Sequence, residues 1–134
     1  MLDKGDREEK RRAFCRNWGG SYWTGGQTRP YESLTPQEQA ALAAPIDSMD
    51  ALFQEHDLAF SAARVRRDSV LNNRSSTEKQ RKAAECQYQR DVKAADQRLG
   101  QQLDALDDNP ANWARPAPNI DTASTALRQA RWYF

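Results

Sequence analysis

The 134-residue chain has few cysteines and a single histidine. The two cysteines, Cys15 and Cys86, permit at most one intramolecular disulfide, which excludes a small fold held by a disulfide framework. With His56 as the only histidine, a structural zinc cluster or a two-histidine metal site cannot be built either. Folding must therefore rest on packing, and any histidine chemistry must use His56.

Long hydrophobic runs and an excess of one charge sign are also absent. The apolar runs are a few residues long, far short of a membrane span or of the apolar part of a secretory signal. Twenty Lys and Arg stand against 19 Asp and Glu, so the net charge of +1 lacks the basic balance of a general nucleic-acid binder. A mean hydropathy of -0.99 indicates a modest core. We expect one soluble domain, made in the cytoplasm, with no signal peptide or transmembrane segment.

The pattern of apolar residues, glycines and prolines predicts a mainly α fold with two long antiparallel helices and short accessory helices. No strand pattern is evident. Thr35 followed by Pro36 predicts the start of a short helix that reaches Ala43. The other predicted segments are a charged N-terminal helix at 1–16, a Gly-rich loop at 17–31, a helix at 45–67, a second long helix at 76–106, and a tail at 107–134 that ends in a short amphipathic helix. Pro45 or Asp47 is expected to open the first long helix, and Thr77 the second.

The two long helices each carry one polar residue on an apolar stripe. His56 recurs at helical spacing with Met49, Phe53 and Phe60, so it is expected to point inward. Asp96 shares a face with Val92, Leu99 and Leu103, and an ionisable group among apolar neighbours is costly unless it is paired. Antiparallel packing would bring the two side chains into hydrogen-bond reach, with one ring nitrogen held and the other available to take a proton from water. The alternative is a structural histidine beside an amphipathic helix with one polar interruption.

The predicted first long helix resembles the active-site helix of secreted phospholipase A2. In that family a proline is followed by aspartates two and five residues on and by a catalytic His-Asp pair that begins eleven residues on. This chain has the same spacing at Pro45, Asp47, Asp50, His56 and Asp57. A closer likeness is to the disulfide-poor phospholipase A2 domain of parvovirus minor capsid proteins and similar bacterial domains. Their second helix carries a segment similar to Ala95–Leu99, whose aspartate supports the histidine, which implies that role for Asp96.

The segment Tyr22-Trp23-Thr24-Gly25-Gly26 is similar to the calcium loop of the same family. The resemblance implies a Ca²⁺ site made of the Asp57 carboxylate and the backbone carbonyls of Tyr22, Thr24 and Gly26. Two positions depart from the family: Thr24 stands where glycine is usual, and Thr takes positive φ only with strain. Phe60 stands where the family has a tyrosine whose hydroxyl donates to the supporting aspartate, so this hydrogen bond is either absent or supplied elsewhere, for instance by Tyr88. The alternative is a glycine-rich turn with no ligand role.

The implied activity is calcium-dependent hydrolysis of the sn-2 ester of glycerophospholipids. His56 would act as the base, Asp96 would orient it, and Asp57 would hold Ca²⁺. The implied partner is a phospholipid membrane surface, which Trp18 and Trp23 would contact because indoles prefer the lipid-water interface, unless they pack in the core. Such a domain suits a membrane-damaging toxin or effector that is exported or delivered to a calcium-rich compartment or target cell, with delivery machinery or a neutralising immunity protein, or an enzyme of viral cell entry.

Two other function classes stay open. The first is a noncatalytic phospholipase-like binding or structural module, which the departures at Thr24 and Phe60 favour. The second is a helical protein that binds nucleic acid or a protein partner, although the net charge gives no reason to expect nucleic acid and a charge run is more often a solvated helix face. The residues available for such binding are Arg64, Arg66, Arg67, Arg74, Lys79, Arg81 and Lys82.

Overall fold

The computed structural model describes residues 17–18 and 24–134, and within those ranges the protein is mainly helical with no β-strand. The predicted N-terminal helix at 1–16 lies outside the described residues. The two long helices pack against each other in antiparallel orientation. The elements in chain order are a 3₁₀ helix (Tyr31–Ser33), α1 (Pro36–Ala40), α2 (Ser48–Leu71), α3 (Glu78–Ala105), a second 3₁₀ helix (Pro110–Asn112) and α4 (Ile120–Tyr133).

The ends of the helices follow from side-chain caps. The Asp47 carboxylate accepts a hydrogen bond from the Asp50 amide and starts α2, and Thr77 and Gln80 form a capping box at the start of α3. Of the two predicted openings of α2, Pro45 and Asp47, the structure has Asp47 as the cap. The predicted end at 67 is too early, because the helix continues to Leu71, the residue before the Asn72-Asn73 break. The prediction for α1 was too long, since this helix ends at Ala40.

The hydrophobic core lies at one end of the hairpin that α2 and α3 form. α4 packs against this end and contributes a row of small and apolar side chains to the core. No residue between 64 and 98 is fully buried, so the remainder of the hairpin projects from the core. We call residues 62–93 the arm and the rest of the described chain the body. The buried core residues are Trp18, Met49, Phe53, Leu99, Leu103, Trp113, Ala117, Ala123, Ala126, Leu127 and Ala130.

A buried carboxylate ties the beginning of the described chain to α2. Asp50 is fully buried and accepts hydrogen bonds from the backbone amides of Trp18 (2.8 Å) and Ile46 (2.9 Å). Burial raises the pKa of Asp50, and these backbone hydrogen bonds act in the opposite direction. The amide of Gly26 in turn donates to the carbonyl of Asn17 at 3.0 Å, so Asp50 indirectly holds the turn at 24–27 in place.

Leu103→Ala is expected to destabilise the protein by about 2–5 kcal/mol, because Leu103 is fully buried where α3 meets the core and its loss leaves a cavity. Chemical denaturation followed by circular dichroism measures this change. Val65→Ala is the control, since Val65 is exposed on the arm, and its effect should stay within about 0.5 kcal/mol. Equal effects of the two substitutions would place the core elsewhere.

Candidate active site

The structure brings His56 and Asp96 together across the two long helices. The Nε2 atom of His56 lies 2.7 Å from Oδ1 of Asp96. The His56 side chain is 16% exposed and the Asp96 side chain is 52% exposed, so the pair lies at the protein surface with the imidazole largely covered. This contact occupies Nε2 and leaves Nδ1 as the ring nitrogen available to accept a proton when Nε2 carries its own.

Two phenylalanines hold the imidazole ring. The ring of Phe60, one turn along α2, is centred 4.5 Å from the His56 ring, and the ring of Phe134 is centred 5.6 Å away with edge-on geometry. Phe134 also contacts Phe53, with centroids 6.1 Å apart. Such packing restricts the rotation of the imidazole and so preserves its hydrogen bond to Asp96.

The contact of Phe134 with His56 was not predicted from the sequence. The sequence predicted only that the tail ends in a short amphipathic helix, and it gave no signal of where that helix would pack. Of the two alternatives for the hydroxyl that Phe60 lacks, supply by Tyr88 is not observed, because the Tyr88 ring lies under the Arg67 guanidinium, 4.2 Å from it.

Asp57 lies beside this pair and faces the glycine turn. Its Oδ2 atom accepts a hydrogen bond from the buried hydroxyl of Thr24 at 2.9 Å. Burial raises the pKa of the Asp57 carboxyl to about 6, even though the hydrogen bond from Thr24 and the charges of His56 and Arg64 favour its ionised form. A half-buried carboxylate of this kind is stabilised by any cation that reaches it.

The turn at 24–27 has positive φ angles only at its two glycines, so the backbone of Thr24 is not strained. The positive φ angles fall on Gly25 (52°) and Gly26 (90°). A side chain at Gly25 would also clash, because its Cβ atom would lie 2.7 Å from Cβ of Leu42. The backbone of Thr24 instead pairs with Gln27 in a short bridge.

The structure describes only some of the predicted calcium ligands. The carbonyl of Thr24 accepts the amide of Gln27 at 2.8 Å, and the group that Thr24 directs at Asp57 is its hydroxyl, which the sequence did not reveal. Gly26 lies in the turn beside Thr24, and Tyr22 lies outside the described residues. Within the described ranges no three His, Cys, Asp or Glu side chains gather where they could hold a metal ion.

An ion pair between Arg64 and Glu32 borders the site, and the sequence gave no reason to expect it. Arg64 donates to both carboxylate oxygens of Glu32, through Nε and through Nη2 at 3.0 Å. The pair joins the first 3₁₀ helix to α2 two turns beyond Asp57. Arg64 favours the ionised form of Asp57 and Glu32 opposes it, so together they add little net charge to the site.

Trp18 does not form the lipid-contacting surface that the sequence led us to expect. It is 3% exposed, its indole N–H donates to the carbonyl of Ala43 at 2.9 Å, and it packs in the core. That prediction is wrong for Trp18, because Asp50 and Ala43 hold the residue inward. Trp23 lies outside the described residues, as does Cys15, while Cys86 is an exposed free thiol.

Comparisons of the chain with known protein families, curated proteins and solved structures find no match. Of the helices in the described ranges, none combines the length and apolar character needed to cross a lipid bilayer.

Proposed function

We propose that the protein is a phospholipase A2-type hydrolase that cleaves the sn-2 ester of glycerophospholipids with the help of Ca²⁺. The observation that carries this proposal is the 2.7 Å contact between His56 and Asp96, with Asp57 next to it in the chain. The sequence resemblance assigned these three residues to base, orienting group and metal ligand, and their arrangement in the fold suits those roles.

The chemistry of the pair follows from its hydrogen bond. When Asp96 accepts the Nε2 proton of His56, Nδ1 is unprotonated and can remove a proton from an attacking water. The Asp96 carboxylate then stabilises the imidazolium that forms. The proton returns from Nδ1 to the departing alkoxide oxygen, so no covalent enzyme intermediate is required.

The residues near Asp57 fit a calcium ion of modest affinity. Ca²⁺ prefers hard oxygen ligands, and the Asp57 carboxylate is one. The carbonyls of Thr24, Gly25 and Gln27 each already accept a backbone amide, so as ligands they would use their second lone pair. A bound cation would relieve the burial of the Asp57 charge. When bound, Ca²⁺ would polarise the ester carbonyl and stabilise the oxyanion. With one carboxylate, the affinity should resemble that of weak extracellular sites, with a Kd of ~10⁻⁴ to 10⁻³ M.

Fatty-acid release from mixed phospholipid vesicles tests this proposal. We expect release in millimolar Ca²⁺ and its loss in excess chelator, because a Kd of about 10⁻⁴ to 10⁻³ M leaves the site empty at trace calcium. Hydrolysis that continues unchanged in chelator would contradict the calcium assignment. Calcium binding without any hydrolysis would instead favour a noncatalytic phospholipase-like module.

A further inference from the structure

Charge is distributed very unevenly between the arm and the body. The arm, residues 62–93, carries nine Lys and Arg against four Asp and Glu, a net charge of +5. Residues 17–61 and 94–134 carry five basic against eleven acidic side chains, a net charge of -6. The whole chain is therefore nearly neutral although the arm is strongly basic and the body is acidic. Such a distribution is typical of proteins that bind an anionic surface through one region.

Four of the arm's basic residues form a stripe along α3. Successive residues are rotated by about 100° around the axis of α3. On this scale the four residues are rotated by about 40–120° from Asp96, all in the same direction. All four are exposed, and none forms an ion pair within the described part of the chain. The basic stripe is about 21 Å long at 1.5 Å per residue and ends one turn before Asp96. Its members are Lys79, Lys82, Arg90 and Lys93.

The basic stripe lies on the same flank of the hairpin as the candidate active site. Two contacts mark the two edges of the packing between α2 and α3. One edge carries the ion pair of Arg66 and Asp91 (3.2 Å), and the other carries the contact between His56 and Asp96. Around the axis of α3, Asp91 is rotated by about 140° from Asp96, in the direction opposite to the basic stripe. A surface that touches the stripe is therefore on the side of His56 and Asp96.

Two exposed aromatic side chains lie at the body end of this flank. The carbonyl oxygen of Phe134 is 3.5 Å from where a Cβ atom on Gly100 would stand, and Gly100 is about 40° from Asp96 on the stripe side. The residues just before Phe134 are Trp132, 87% exposed, and Tyr133, 48% exposed. We call Trp132 and Tyr133 the aromatic end. Trp132 is about 200° around α4 from the buried Ala130, so its indole points away from the core.

We propose that the basic stripe and the aromatic end together bind the surface of a bilayer that contains anionic phospholipids. Lys and Arg near such a surface are attracted by its negative potential, and Trp and Tyr partition into the headgroup region. A nucleic-acid duplex would match the stripe, but it offers no comparable environment for an exposed indole. The inference rests on the proposed phospholipid hydrolysis, because a site that acts on bilayer lipids must be held at the lipid-water interface.

Co-sedimentation of the full chain with vesicles, in chelator, tests this inference without reading hydrolysis. We expect binding to vesicles of phosphatidylcholine mixed with phosphatidylglycerol, and little binding to phosphatidylcholine alone. Raising the salt from about 0.1 M to 1 M shortens the Debye length from about 10 Å to 3 Å and should release the protein. Because the readout is binding, a failure of the proposed chemistry and a failure of this surface give different results.

Matched charge variants locate the surface. Lys82→Gln/Lys93→Gln should lower the vesicle partition coefficient about 25-fold, since each charge contributes about fivefold. Arg66→Gln/Arg98→Gln makes the same change in net charge on other faces of the hairpin, where both arginines pair with acids, and it should leave partitioning nearly unchanged. Equal losses in the two double variants would overturn the proposal, because net charge alone would then govern binding.

The aromatic end has its own variant. Trp132→Ala should weaken binding to the mixed vesicles and remove a blue shift of tryptophan emission, whereas Val65→Ala, at an exposed apolar position of the arm, should do neither. Emission that shifts equally in Trp132→Ala would exclude this indole. Binding of duplex DNA under conditions where vesicles are not bound, and its loss in Lys82→Gln/Lys93→Gln, would overturn the bilayer in favour of nucleic acid.

Discussion

His56→Ala is expected to abolish lipid hydrolysis, because His56 is the chain's only histidine and the proposed reaction has no other base at its Nδ1 position. General-base catalysis of this kind contributes ~10²- to 10⁴-fold to the rate, and the whole of this contribution should disappear. Removal of the ring also leaves a gap between Phe60 and Phe134, so circular dichroism and a thermal melt must accompany the assay. A folded His56→Ala protein with undiminished turnover would end the proposal.

Asp96→Asn should lower turnover by ~10² to 10⁴ while preserving the shape of the site. An asparagine amide that donates to Nε2 would favour the wrong tautomer, and an asparagine oxygen that accepts from it would stabilise the imidazolium less than a carboxylate does. The loss should appear in kcat more than in KM, since Asp96 acts on the transition state through His56.

The two substitutions should not be additive. In His56→Ala/Asp96→Asn the activity should match that of His56→Ala alone, because a supporting carboxylate has nothing left to orient. Asp91→Asn is the matched control on the same helix, where Asp91 pairs with Arg66 on the opposite edge of the helix packing. It should be nearly silent, since exposed ion pairs contribute about 0–1 kcal/mol. A crippled Asp91→Asn beside an active Asp96→Asn would show that the pair is not the functional one.

The features predicted well from the sequence are those that helical periodicity determines. The apolar stripes around His56 and Asp96 predicted which faces of α2 and α3 would pack together. His56 and Asp96 lie near the middle of those stripes, so the packing of the two faces brings their side chains into contact. The starts of α2 and α3 were indicated locally by Asp47 and Thr77, whose side chains accept hydrogen bonds from the amides of Asp50 and Gln80.

The features that were missed depend on contacts between segments distant in sequence. Trp18 lies in a glycine-rich segment without periodicity, and its burial results from hydrogen bonds to Asp50 and Ala43. The Thr24 hydroxyl reaches Asp57 only because the turn at 24–27 packs against α2. Likewise, the sequence indicates an apolar face on α4 but not that Phe134 would reach His56. Side chains outside the periodic elements are positioned by tertiary structure, which local patterns do not encode.

Asp57→Asn is expected to stabilise the protein in chelator at neutral pH, although it should destroy the calcium site. Burial raises the pKa of Asp57 from 3.8 in the unfolded chain to about 6 in the folded protein. The folded state therefore binds the proton more tightly, and ionisation costs stability. This cost is absent below pH ~4, grows between pH ~4 and 6, and is complete above, where it amounts to roughly 3 kcal/mol.

Asparagine avoids this cost but leaves a partly buried amide, so we expect a net gain of about 1–3 kcal/mol at pH 7.5 that vanishes near pH 4. Urea denaturation at the two pH values measures it. Asp104→Asn is the control, since Asp104 is exposed on α3, and it should change stability by less than about 0.5 kcal/mol at either pH. A variant that is less stable than wild type at both pH values would show that the Asp57 carboxylate supports the fold.

Calcium should reduce the stability difference between wild type and Asp57→Asn. At a Kd of about 1 mM, 10 mM Ca²⁺ stabilises the wild type by about 1.4 kcal/mol, since only the folded state presents the Asp57 carboxylate beside the turn at 24–27. Asp57→Asn has lost the one charged ligand and should gain nothing, so the stability difference between the two proteins shrinks as calcium is added. Equal stabilisation of both proteins would place the cation elsewhere. The Asp57 carboxylate would thus lower the stability of the fold until a cation binds to it. Such a stability cost is expected of a metal ligand that the fold holds in place before the metal binds.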